Sequence, residues 1–160
     1  MSTFKSIEQK LATLPNGSIV DTEQLIKDIK KTCHYVQYVT VGTKDDNDVF
    51  AVIFPSRKLF SAPDYEKSPE EGCFCPRHLN ELGKCLSGCM QTINNSMQTG
   101  YAKINSAVII NSELSMHDGL LTPELEIISD NAFKKFNTHL NNLFGDNKYV
   151  DEEVFNMKLV

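Results

Sequence analysis

Apolar positions along the chain alternate between helical spacing and strand-like runs. Leu14-Pro15-Asn16-Gly17 is a strong turn signal, since Asn-Gly favours tight reversals. Asp21 then stands as an N-cap, with Gln24 three residues later in a capping-box pattern. Leu25, Ile26, Ile29 and Cys33 follow at helical spacing and predict an amphipathic helix over 22–32. Two β-like runs come next, Tyr35–Val41 and Val49–Phe54, with Gly42 ending the first. The acidic stretch 44–48 between them reads as the solvated tip of a hairpin rather than a calcium loop.

Residues 55–75 contain Pro55, Pro63 and Pro69 and read as an irregular connection. From about 76 to 97, Leu79, Leu82, Leu86, Cys89/Met90, Ile93 and Met97 keep helical spacing, which predicts the longest helix, closed near Gly100. A strand around 102–110, a loop over 111–124 and a helix over 131–144 complete the pattern. That last helix buries Phe133, Phe136, Leu140, Leu143 and Phe144 and stops at Gly145. The tail, residues 145–160, alternates charged and apolar residues and is expected to dock as a short helix. This order implies an α+β fold: a small, three-stranded type of sheet, preceded by a β-turn or hairpin element, with helices packed on it.

Composition narrows the class. A chain of 160 residues with 41% apolar residues suits a single domain with a real core. Its 16 basic and 21 acidic residues give a net charge of −5, and only Arg57 and Arg77 are arginines. A nucleic-acid binder normally carries a basic, arginine-bearing face, so that class is not expected. No apolar run reaches the ~20 residues needed to span a bilayer. The N-terminal residues lack the apolar stretch of a secretory signal, and five cysteines is an odd number, so a reduced, cytoplasmic setting is expected.

Three stretches resemble the small C-terminal subdomain of long-chain acyl-CoA synthetases, members of the adenylate-forming superfamily. The first is Leu14-Pro-Asn-Gly17-Ser-Ile-Val20-Asp-Thr-Glu23, and the second is Val36–Gly42 followed by Phe50–Pro55. The most specific is Ser115-Met-His-Asp118-Gly119-Leu-Leu121-Thr122-Pro123, similar to the family's S-x-E-N-G-x-L-T-P run before the catalytic lysine. The resemblance spans residues 10–144, nearly the whole chain. It implies a subdomain that swings over a large domain holding ATP and a carboxylate. There a lysine stabilises the anionic oxygens as the acyl-adenylate forms and pyrophosphate leaves.

The chain departs from that pattern where the chemistry lies. Counted from Pro123, the lysine position holds Glu126, and the basic pair that follows it in the family falls on Ile128 and Ser129. A carboxylate facing a triphosphate repels it, so the charge is reversed rather than conserved. The aspartate of the family's hinge motif falls on Lys10, and no ATP-binding motif is present. The resemblance therefore implies a module that is inactive alone. Its expected partners are a separate adenylation-domain subunit, an acyl-carrier protein or an acyl-thioester enzyme. The alternative is the small subunit of a split ligase, in which Lys103, Lys134 or Lys135 replaces the missing cation.

Cys73, Cys75, His78, Cys85 and Cys89 form a second candidate, C-x-C-x2-H-x6-C-x3-C. Such ligands suit a structural zinc, and this small metal-binding protein is a further functional alternative. Distance counts against it: with a helix from Pro76, Cys85 lies about 13–15 Å along the axis from Cys75. A shared metal requires a later start, for example with Asn80 as N-cap. The spacing matches no standard zinc signature and favours Cys85 and Cys89 as small residues of the buried stripe. No cofactor is expected for the chain alone, zinc at these cysteines being the one candidate.

The remaining titratable residues carry weaker signals. His34 precedes a strand, while His117 and His139 read as solvated; none belongs to a recognised nucleophile motif. Asp118 and Glu126 can be paired as acid and base, yet an aspartate before glycine is commonly a turn residue.

Overall fold

The computed structural model describes residues 4–7, 10–32, 36–45, 48–55, 79–112, 114–144 and 154–159. The first three strands are short: β1 (Phe4–Ser6), β2 (Leu11–Thr13) and β3 (Ile19–Asp21). Helix α1 (Thr22–Thr32), strand β4 (Val36–Lys44) and strand β5 (Asp48–Pro55) follow. Helix α2 (Leu79–Asn95) leads to β6 (Ser106–Ile110), then to α3 (Ser129–Lys135), α4 (Asn137–Phe144) and β7 (Val154–Lys158).

The fold is α+β, with a five-stranded mixed sheet in the order β1-β4-β5-β6-β7 and a separate β2-β3 pair. The sheet is wider than the expected three strands because β1 and β7 add an edge on each side. Among the described strands of this sheet, only β5 and β6 pair in parallel. A parallel pair needs a long crossover, and the chain spends α2 on it.

Strand β5 explains the layering. Val49, Ala51 and Ile53 point into one core with Leu25 and Ile29 of α1 and Leu82, Leu86 and Met90 of α2. Phe50, Val52 and Phe54 point into a second core with Phe133, Phe136, Leu140 and Leu143. Such strands read as continuous apolar runs because helices cover both faces. Phe50 and Phe133 meet at 5.1 Å between ring centroids, and Phe54 and Phe136 at 5.5 Å. Each buried ring contributes about 1.5–3 kcal/mol from apolar burial.

The local signals around α1 are realised. Gly17 N–H donates to Leu14 O at 2.9 Å and closes the turn between β2 and β3. Asp21 caps α1, its Oδ1 accepting from the Gln24 N–H at 3.1 Å, worth about 1 kcal/mol. The Gln24 side chain goes forward instead, donating to Asp28 Oδ1 at 2.8 Å, so the return half of the capping box is replaced by an i,i+4 bond.

Four expectations need correction. Gly42 does not end β4 but sits inside it, opposite Phe50 and Ser6. It is there for space: a Cβ would lie 2.5 Å from Lys5 O and 2.7 Å from the Phe133 ring. Helix α2 ends at Asn95, two residues short of the predicted limit, while residues 76–78 lie outside the described residues. The predicted 131–144 helix is two helices broken at Phe136, whose φ of −102° and ψ of 24° leave the helical region. Its apolar spacing survives the break, so the pattern did not reveal it. Finally, the described part of the tail, residues 154–159, carries a strand rather than a helix. Met157 and Leu159 alternate into the α1–α2 core, with Phe155 packed against it, the period of a strand.

Candidate functional site

The loop resembling the lysine loop leaves β6 and is anchored by buried Leu114, Leu120 and Leu121 in the second core. Its first half is a tight turn. Asp118 N–H donates to Ser115 Oγ at 3.2 Å and Gly119 N–H to Met116 O at 3.1 Å. Gly119 O accepts from Asn131 Nδ2 at 2.7 Å, which ties the turn to the start of α3.

Its second half is a miniature hairpin. Leu121 and Ile127 bridge antiparallel, and Ile128 N–H donates to Leu120 O at 2.8 Å. Thr122 N–H donates to Glu126 O at 2.8 Å, while Glu126 N–H donates to the Thr122 hydroxyl at 3.1 Å. Pro123 opens the turn, and Leu125 N–H closes it on Thr122 O at 2.8 Å. Leu125 ends it with φ of 63°, the left-handed conformation that a three-residue hairpin loop usually gives to glycine. Leu125 is also 56% exposed.

Glu126, Glu124 and Pro123 are all exposed at this tip. Among the described residues no cation pairs with Glu126. Asp118 pairs instead with Lys135, whose Nζ is 3.9 Å from Asp118 Oδ2 and 5.6 Å from the Phe136 ring centroid. Asp118 thus answers to a lysine rather than to a second carboxylate. Of the candidate replacement cations, Lys135 adjoins the loop, whereas Lys134 is exposed on α3 and Lys103 is exposed ahead of Ile104. Lys10, expected at the hinge position, is exposed: its carbonyl accepts from Thr22 N–H at 3.0 Å and its Nζ lies 3.7 Å from Glu23 Oε2.

The cysteine cluster is only partly within view. Cys73, Cys75 and His78 lie outside the described residues, as does His34. Cys85 and Cys89 are half-buried on α2, flanking the fully buried Leu82, Leu86 and Met90 rather than joining that stripe. Asn80 lies within the helix rather than at its N-cap. Among the described residues no group of three His, Cys, Asp or Glu side chains is placed to hold a metal.

His117 is exposed in the loop, as expected. His139 is not: it is half-buried, stacks on Phe136 at 5.9 Å, and keeps a buried Nδ1 without a hydrogen-bond partner among the described residues. One feature had no single-segment signal at all. A groove of about 510 Å³ lies between α1 and the 92–102 segment, lined by Leu25, Asp28, Ile93, Met97 and Tyr101 among others. No helix among the described residues is long and apolar enough to cross a membrane.

No family model matches the chain, and no curated protein does. Solved structures do match. The A-PCP didomain of carboxylic acid reductase from Segniliparus rugosus, in complex with AMP, aligns with a TM-score of 0.57 at 15% identity, over 85% of this chain and 17% of that one. The adenylation domain of the carboxylate reductase from Mycobacterium chelonae gives 0.58 at 16% identity, over 86% and 20%. The Segniliparus rugosus A domain, bound to AMP and a co-purified carboxylic acid, gives 0.57 at 16% identity, over 84% and 20%. This chain thus spans a fifth or less of those proteins. It is similar in fold to part of the adenylation domains of these carboxylic acid reductases.

Proposed function

We propose that this chain is a non-catalytic relative of the acyl-CoA synthetase C-terminal subdomain that acts through a protein partner in acyl activation. The partner is an adenylation-domain subunit or an acyl-carrier or acyl-thioester protein. One observation carries the reading: a hydrogen-bonded hairpin presents Glu126 to solvent at the position where the resemblance expects the family's lysine. The loop is closed by its own hydrogen bonds, while the charge expected to serve adenylation is inverted, which suits contact better than catalysis. The fold likeness to adenylation domains supports the same class. Affinity capture with the full chain, against an Asp118, Glu124 and Glu126 charge-reversed variant, tests it. Recovery of an adenylating or acyl-carrier protein by the parent chain alone is the expected result; recovery of neither overturns the reading.

A second reading is favoured by Lys135, which places a cation beside the loop. There the chain completes a split ligase. Pyrophosphate release by a captured adenylation subunit then rises on adding the parent chain and fails to rise with Lys135→Ala. No rise with the parent chain removes this reading.

A further inference from the structure

The groove between α1 and the 92–102 segment belongs to the core on the opposite side of the sheet from the hairpin loop. Its floor is buried Leu25, and its walls are the half-exposed Ile93, Met97 and Ala102. At about 510 Å³ it falls within the range of small-molecule sites, roughly 300–1,000 Å³.

Its charges are arranged unequally. Asp21 and Asp28 are half-buried at the wall, while Lys31 is exposed at the edge. Gln24 fixes both carboxylates, its N–H bonded to Asp21 Oδ1 at 3.1 Å and its Nε2 to Asp28 Oδ1 at 2.8 Å. Asp21 is committed to capping α1, which leaves Asp28 as the oriented acceptor beside an apolar floor.

We propose that this groove binds a small amphipathic cation, with an apolar body on Leu25, Ile93 and Met97 and a primary ammonium against Asp28. An anion of the same shape meets the carboxylates of Asp21 and Asp28 at the wall and is repelled by them. The site is independent of the hairpin loop and of the function proposed for it.

Hexylammonium titrated into the full chain, followed through backbone amide shifts, tests this. Saturable shifts over α1 and residues 92–102 are expected, with a dissociation constant near ~1 mM. Asp28→Asn keeps an acceptor for Gln24 but removes the charge, and is expected to weaken binding about tenfold, as is replacing the probe by hexanol. Met97→Lys, which puts a cation into the groove from the other wall, is expected to abolish binding and leaves α1 untouched, so it tests the proposal even where Asp28→Asn perturbs that helix. Hexanoate does not bind. Equal binding of hexanol or hexanoate, an unchanged affinity in both variants, or no saturation up to about 10 mM hexylammonium overturns the proposal. So does a response confined to a lysine-bearing peptide, which marks a protein-docking groove instead.

Discussion

Asn94 makes both of its side-chain hydrogen bonds to one residue: Nδ2 donates to Ile104 O and Oδ1 accepts from Ile104 N–H, each at 2.9 Å. An amide side chain here does what a neighbouring strand does elsewhere. It satisfies a backbone position that is fully buried and pins α2 to the entry of β6, with Asn94 itself only 2% exposed. Asn94→Ala leaves two buried backbone groups without partners, which costs about 2–4 kcal/mol. Urea denaturation should show the midpoint falling with the slope unchanged. A loss well below that range means water takes over both bonds.

Gly83 lies inside α2, where glycine costs about 1 kcal/mol relative to alanine. Its reason is Phe155 of β7: a Cβ on Gly83 would lie 2.3 Å from the ring. Gly83→Ala is therefore expected to destabilise the fold, while the same change in a Phe155→Ala background recovers the helix-propensity gain. A double-mutant cycle reads this as a coupling of at least ~1 kcal/mol. Additive effects would show that β7 can move aside.

Leu125 holds a left-handed backbone with most of its side chain in water. Asn tolerates that conformation better, so Leu125→Asn should stabilise the protein by several tenths to about 1 kcal/mol, with little packing lost. Thermal unfolding checks it. Destabilisation would mean that the leucine side chain is needed where it stands.

Glu126→Lys restores the charge of the resembling family at an exposed site. Stability should change by no more than about 0.5 kcal/mol. Pyrophosphate release from the chain alone, with ATP and a fatty acid, should stay at background for parent and variant alike. A signal from either contradicts a non-catalytic module.

Much of the architecture is legible where short-range chemistry dictates it. The Asn16-Gly17 turn, the Asp21 cap and the β4–β5 pairing depend on residues close in sequence. The three-residue β1 is too short to show a period, and β7 hides in a charged tail whose alternation is compatible with either element until Phe155 finds Gly83. The break at Phe136 is invisible because Phe133 before it and Leu140 and Leu143 after it keep helical spacing through it. At the candidate site, the identity of Glu126 is plain in the sequence. The hairpin that presents it depends on hydrogen bonds between Thr122 and Glu126, and the groove on the other face depends on two segments some seventy residues apart.

The order of the large sheet has a mechanical consequence. Strands β1 and β7 occupy its opposite edges, four inter-strand spacings apart, or roughly 19 Å at about 4.8 Å each. Attachments made before β1 and after β7 therefore leave from opposite sides of the molecule. A permutant that joins the two must bridge that width with at least about six extended residues. Tension applied through them pulls across the strands, opening hydrogen-bonded ladders one after another rather than shearing them together.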